Sequence, residues 1–466
     1  MKNETKIMVI DVSENVSNLV SQLEHLGRLP DDFDISGLMA LAKHSNENVR
    51  YLAIKNLAKL SRLDLLDIFV EIVDNDGSSI VRKEAVSAIG RLRDRKTKAI
   101  LINYLYDKNP EIVLQAMRGL LVFKKDKDIE SELSRFKNHQ NEIIREIVTK
   151  EFSKESKSNG DHTASPEFMK NVVVAGDVEE IMKSVPNESI HLTFTSPPYY
   201  NARDYSIYSS YQEYLDFLER VFKEVHRVTK EGRFFVLNTS PIIIPRVGRQ
   251  YSSKRYPIPY DIHPLLIRMG WEFIDDIVWV KPEASAKNRN AGFLQHRKPL
   301  AYKPNACTEC VMVYRKKTSK LIDWNIRQYP EKVIEDSKIN GDYESSNIWK
   351  IDPTFDKTHS AVFPLDLCNK VIKFYSFKGD LVFDPFAGSG TVGVSAMKSK
   401  RLFFLTEKEP KYILRIKENL SKAMEMGYKL PKVIDIDQFV CDSNAQNSNE
   451  RSNKEHNKES NEWAGL

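Results

Sequence analysis

Two hydrophobic periodicities divide the chain. From about residue 31 to 152, apolar positions recur four apart: Val49, Ala53 and Leu57, then Val81, Ala85 and Ile89, then Ile112, Ala116 and Leu120, then Ile144, Val148 and Phe152. Spacing by four marks one face of a helix. The four units follow one another at intervals of 32, 31 and 32 residues, and Asn, Asp, Gly or Pro precedes each. A period of that length with paired amphipathic helices predicts a stacked solenoid. From residue 170 onward the pattern changes to short apolar runs alternating with helical spacing. Strands are expected at 171–175, 190–194, 233–237, 271–280, 310–314, 381–383 and 401–405. Helices are expected at 179–183, 211–229, 259–269 and 392–398, with Lys230, Glu231 and Gly232 closing the second. This alternation predicts an α/β fold with a doubly wound, mostly parallel sheet. The stretch 153–167 is polar and aperiodic and reads as a linker, and a polar C-terminal tail reads as disordered. The expected layout is a solenoid at 1–152, the linker at 153–167, an α/β domain at 168–440 and a tail at 441–466.

Composition changes this picture little. The 466 residues carry a net charge of +5, with pI near 8.7, which is compatible with nucleic acid without requiring it. No apolar run reaches the length of a membrane span, and four cysteines make no disulfide framework. A cytoplasmic protein is expected. Cys307 and Cys310 form a lone Cys-x-x-Cys, which is read as the start of a buried strand, and no metal is expected. The basic cluster Arg91, Arg93, Arg95, Lys96 and Lys98 lies between helical units. It fits either a solvated turn or a phosphate contact.

Two stretches carry chemistry. The strand 190–194 runs into Thr195-Ser196-Pro197-Pro198-Tyr199-Tyr200. Consecutive prolines end the ladder, because they lack N–H donors and have fixed φ. A stiff turn then offers carbonyl acceptors, the Ser196 hydroxyl and the flat Tyr199 ring, a seat for a planar molecule bearing an amino group. The strand 381–383 runs into Asp384-Pro385-Phe386-Ala387-Gly388-Ser389-Gly390-Thr391 and a helix, and the next strand ends at Glu407, 19 residues after Gly388. A Gly-rich strand-to-helix turn with an acid at the following strand end suits a nucleoside-bearing ligand. The Asp384 carboxylate would repel a pyrophosphate and suits a cationic ligand.

Together these stretches resemble the DNA amino-methyltransferases, through Ser196-Pro197-Pro198-Tyr199 and Phe386-Ala387-Gly388-Ser389-Gly390. The order, amine-holding motif first and cofactor motif last, is similar to the β class. The resemblance covers about 170–430. It implies a Rossmann-like S-adenosylmethionine-dependent methyltransferase domain, and the preceding array looks like short HEAT-like repeats. The catalytic residues implied are Ser196, Pro197, Pro198 and Tyr199. The cofactor would be held by Asp177, by His359, Ala361, Phe363 and Pro364, by Asp384, Pro385, Phe386, Ala387, Gly388, Ser389, Gly390 and Thr391, and by Glu407. An inserted segment at about 281–358 would recognise the target, and Tyr200, Arg203, Lys287, Arg289, Arg297 and Lys298 are expected at the DNA. Ser at position 196 is the form associated with cytosine-N4 enzymes, whereas adenine-N6 enzymes more often carry Asp. The implied partners are double-stranded DNA, a restriction endonuclease or other defence partner, and a protein or DNA contact through the solenoid. Three alternatives stay open: an adenine-N6 enzyme, an RNA or protein methyltransferase, and an interaction protein with an inactive methyltransferase fold.

Overall fold

The computed structural model describes residues 12–30, 32–152, 162–200, 208–244, 248, 250–251, 254–285, 299–300, 306–341, 345–354, 364–424 and 431–446. It forms two compact units, 1–158 and 159–466.

In the first unit, helices pair off: Ser36–Leu41 with Glu47–Leu57, Leu66–Asn75 with Ser79–Arg91, Thr97–Tyr104 with Pro110–Leu120, and Lys127–Ser134 with Glu142–Phe152. The periodic residues all fall on the second helix of each pair, and from Val49 to Val148 they are fully buried in one core. Asn46 and Asn109 cap their helices by accepting backbone N–H groups. Arg50 makes a two-point ion pair with Asp76, at 2.7 and 2.9 Å, and Arg82 reaches Asp107 at 2.6 Å, so each pair is tied to the next.

The second unit is built on strands β1 (Val172–Ala175), β2 (Ile190–Thr195), β3 (Thr229–Thr239), β4 (Ile242–Ile244), β5 (Lys254–Tyr256), β6 (Trp271–Val280), β7 (Thr308–Lys316), β8 (Ile348–Lys350), β9 (Leu381–Asp384), β10 (Leu402–Glu407) and β11 (Lys432–Asp435). Nine of them form one sheet in the order β11-β1-β10-β9-β2-β3-β7-β6-β8, and β4 pairs with β5 separately. The run from β11 to β3 is parallel, while β7 is antiparallel to both β3 and β6. Helices Tyr211–Val228 and Ile258–Met269 pack on one face, and helices Leu365–Tyr375, Thr391–Lys398 and Pro410–Ala423 pack on the other.

Three expectations are corrected. Lys230, Glu231 and Gly232 do not form a turn closing a helix. They lie inside β3, where the register against β2 shifts between Ile190 and Leu192 and Gly232 takes φ 68°. The end of the expected linker is packed: Ser165 Oγ donates to the Ser189 carbonyl at 2.7 Å, and His162 sits edge-on to Trp324. The expected tail begins inside a helix. Residues 436–446 are helical, and Ser443 is buried, donating to the Ser184 carbonyl at 2.9 Å.

Candidate active site

The site lies where the sheet changes direction. From β2 the chain proceeds to β3 through a helix on one face; from β9 it proceeds to β10 through a helix on the other. β2 and β9 are neighbours, with Leu192 beside Val382 and Thr193 beside Phe383. A crevice must open at the carboxyl ends of such strands. The Ser196 turn and the Asp384 turn, distant in sequence, therefore emerge side by side. A buried hydrogen bond joins them: Thr195 Oγ1 donates to Asp384 Oδ1 at 2.6 Å.

The crevice holds a cavity of about 120 Å³. Ser196, Pro197, Pro198 and Tyr199 line one side, and Asp384 through Ser389 line the other with Thr391. Asp177 and Glu407 close the far end. Gly390 takes φ 80°, and a Cβ on it would sit 3.1 Å from Ile416, so the turn requires glycine. Gly393 permits close packing of the following helix, because a Cβ there would meet Leu405 at 2.7 Å.

The cavity's electrostatics are one-sided. Among the described residues Asp177, Asp384, Glu407 and Glu409 line it, against a single Lys408. Burial pushes the Asp384 carboxyl up to about 7, against the lowering effect of the Thr195 hydroxyl and the Phe386 amide. Burial also raises Glu407, although the Gly388 and Glu409 amides donate to it at 2.8 and 2.9 Å. Glu407 is thus also a brace for the Gly-rich turn. Asp177 likewise has a second task, capping helix Val178–Met182 through the Glu179 amide at 2.9 Å. Phe217, Phe386 and Tyr208 supply apolar wall. Carboxylates beside aromatic surface, with little positive charge, fit a cationic, nucleoside-bearing ligand and oppose a pyrophosphate.

Sequence reasoning missed Glu309. This β7 residue accepts from the Tyr199 hydroxyl at 3.2 Å, from Asn238 Nδ2 at 2.7 Å and from Lys281 Nζ at 2.6 Å. Its sequence signal was the single acid of β7, second from the start of the strand. Other expectations fare differently. Tyr200 is not at an open surface: it is buried among Tyr211, Tyr214 and Tyr256, because its ring faces the core between two helices and the β4–β5 hairpin. Pro364 caps helix Leu365–Tyr375 and is not among the cavity-lining residues. Arg203, Lys287, Arg289, Arg297, Lys298, His359, Ala361 and Phe363 lie outside the described residues. Among the described residues no group of three or more His, Cys, Asp or Glu is placed to hold a metal ion, and no helix is long and apolar enough to cross a membrane.

A DNA methylase family model matches residues 190–418, and HEAT repeats match residues 35–150. The type II methyltransferase M.ScaI of Streptomyces caespitosus is 31% identical over 236 residues, which span 48% of this chain and 73% of that protein. The chain belongs to the DNA methylase family. The methyl donor of this methylase is S-adenosylmethionine, and the carboxylate-lined cavity fits its charge. The type II beta methyltransferase M.BslI of Bacillus sp. (strain NEB-606) is 29% identical over 52% of the chain, which spans only 26% of that relative's length. M.Cfr9I of Citrobacter freundii is 27% identical, covering 51% of this chain and 83% of its own. A solved structure, the putative DNA modification methylase TTHA0409 of Thermus thermophilus, is 26% identical and covers 57% of this chain and 99% of its own, with a TM-score of 0.46. The HEAT-repeat unit lies outside the methylase match.

Proposed function

We propose that this methylase transfers a methyl group to the N4 amine of a flipped-out cytosine in duplex DNA. The observation that carries the reading is the Thr195–Asp384 hydrogen bond, which holds an amine-seating turn and a cation-accepting turn at adjacent strand ends. An exocyclic amine is a poor nucleophile, because its lone pair is delocalised into the ring. The Ser196 hydroxyl and the Pro197 carbonyl accept its two N–H groups and draw the nitrogen toward sp³ geometry. The Pro197-Pro198 unit fixes these acceptors beforehand, so they need no reorganisation during the reaction. The Tyr199 ring stacks on the base, and its hydroxyl is held by Glu309. Asp177, Asp384 and Glu407 hold the cofactor with the Gly388–Thr391 turn. When bound, S-adenosylmethionine supplies an electrophilic methyl group on its sulfonium. Alignment of the seated amine accounts for much of the rate. The nitrogen's proton leaves after methylation, when water suffices to take it, so a strong base is unnecessary. The base must leave the helical stack to reach Ser196.

Ser at position 196 supports cytosine over adenine. The curated relatives are type II methyltransferases, which supports a cytoplasmic role beside a restriction endonuclease. Segment 281–358 is the proposed target-recognition insert. Digesting methylated DNA to nucleosides tests the reading: N4-methylcytosine is expected, and N6-methyladenine would reassign the base. Tyr199→Ala should keep cofactor binding and lose turnover; unchanged turnover would remove the stacking role.

A further inference from the structure

The solenoid has two edges with different electrostatics. One edge holds the turns within helix pairs. There Arg50 is held by Asp76, Arg82 by Asp107, and Arg145 by the His139 and Gln140 carbonyls, while Lys43 and Lys108, one to a turn, are exposed. The opposite edge holds the turns between pairs. A Cβ on Gly90 would sit 3.0 Å from Gly119, and each of these glycines is the second-last residue of its helix, so the ends of helices Ser79–Arg91 and Pro110–Leu120 lie side by side. The turns that follow, 92–96 and 121–126, are therefore neighbours.

These turns are basic and unevenly compensated. Arg91 is paired with Glu84, Lys98 with Asp126 and Asp128, and Lys124 with Glu151. Arg93, Arg95, Lys96 and Lys125 are exposed and have no acidic partner among the described residues. Asp94, the acid within the first turn, accepts the Lys96 backbone N–H at 2.8 Å and pairs with none of the turn's cations. Arg93 occupies a left-handed position (φ 52°) where glycine is the easy choice, and Lys125 follows it by one repeat of 32 residues. One repeat earlier the left-handed position is Ser61, and the cations near it, Lys59 and Arg62, are bound to the Leu26 carbonyl and to Asp64. Four exposed cations without an acidic partner among the described residues thus lie on two adjacent turns. Packed helices lie about 10 Å apart, close enough for both turns to meet neighbouring phosphates of one DNA strand.

We propose that turns 92–96 and 121–126 form a docking surface for the phosphate backbone of duplex DNA. Arg93, Arg95, Lys96 and Lys125 supply the contacts, independent of base sequence. The choice of DNA over another polyanion rests on the methylase reading above. The test uses the full chain and a labelled duplex, with binding measured across a salt series. Replacing Arg93, Arg95 and Lys96 together by Glu should weaken binding at least about tenfold at low salt and lower the slope of log K against log salt by about two to three. The corresponding Gln variant should give a smaller loss in the same direction and guards against a folding defect. Lys43→Glu with Lys108→Glu on the other edge should leave binding nearly unchanged. Unchanged affinity and slope in the Glu variant would overturn the proposal, and so would an equal loss in the other-edge control. Weakened binding to polyglutamate with unchanged binding to the duplex would overturn it in favour of an acidic protein. Methylation of duplex DNA by the unsubstituted chain, measured in parallel, separates failure of the methylase reading from failure of this surface.

Discussion

Strand β9 is four residues long and carries a buried aspartate at each end, Asp380 just before it and Asp384 as its last residue; both are 1% exposed. Their surroundings are opposite. Asp380 accepts from Arg233, from the Tyr329 hydroxyl and from the Phe377 amide, and Arg233 also lies over the Tyr329 and Phe377 rings. The Arg233 charge holds Asp380 below the usual carboxylate range despite burial. Among the described residues Asp384 receives only the Thr195 hydroxyl and the Phe386 amide, and burial lifts it to about 7. One end of the strand is a closed ion pair; the other is a carboxylate without a cation among the described residues. A buried charge left uncompensated costs stability, so its presence beside a cavity points to a ligand that supplies the missing charge.

The sharpest way to break this comparison is to remove Asp380. Asp380→Ala leaves the Arg233 guanidinium buried and unpaired, and about 3–5 kcal/mol should be lost. Denaturant unfolding of the sheet unit checks this; a loss below about 1 kcal/mol would show the pair to be dispensable. Asp384→Asn is the matched experiment and should act on the other quantity. Stability should hold or rise, because the group is already uncomfortable when charged. Cofactor affinity should fall about 10- to 100-fold, the value of a charge-assisted hydrogen bond. Calorimetry with S-adenosylmethionine measures it. Equal stability losses at the two positions would end the distinction.

The same contrast has a pH signature. Asp384 titrates near 7 in the folded chain, against an ordinary value of 3.8, so between these values the folded state binds more protons than the unfolded state. Its contribution to unfolding free energy therefore falls as pH rises through that window. Asp380 is depressed, so its contribution is present above the ordinary carboxylate range and is lost as pH falls through its folded value. A cationic ligand selects ionised Asp384. Cofactor affinity should therefore rise by up to about tenfold per pH unit toward pH 7 and level off above it, with proton uptake by the buffer below 7. Asp384→Asn should flatten the profile.

The sequence showed one end of this strand and hid the other. Asp384 was legible because a Gly-rich turn follows it and an acid lies 19 residues beyond Gly388. Asp380 follows Lys378-Gly379 and reads as an ordinary turn acid; its partners Arg233 and Tyr329 come from distant segments that only the sheet order brings together. The solenoid was legible because each repeat packs against its neighbours in sequence, so Val49, Val81, Ile112 and Ile144 mark the core without tertiary knowledge. Tyr200 was misplaced for the converse reason. An aromatic beside a catalytic turn looks like a binding residue until Tyr214 and Tyr256 enclose it. Ser443 was misread because local polarity gives no hint that a helix docks it on the Ser184 carbonyl.

Glu309 extends the comparison to a third carboxylate, half-buried, that is compensated and also touches the site. Lys281 neutralises it, as Arg233 does Asp380, yet its other oxygen holds the Tyr199 hydroxyl. It is a positioning residue for the ring that stacks on the base, acting through a single hydrogen bond. Glu309→Gln should lower kcat about three- to tenfold, the worth of one such bond, and leave cofactor affinity unchanged. Tyr199→Phe removes the same bond from the other side, together with the hydroxyl's hydrogen bonds to Ser196 and Ser240, and should give at least as large a loss. The double variant should then be no worse than Tyr199→Phe alone, because that variant already deletes the bond that Glu309→Gln removes. Additive losses would mean that Glu309 serves the site through Asn238 or Lys281 instead. Unchanged kcat in both single variants would make it a structural carboxylate of the Asp380 kind.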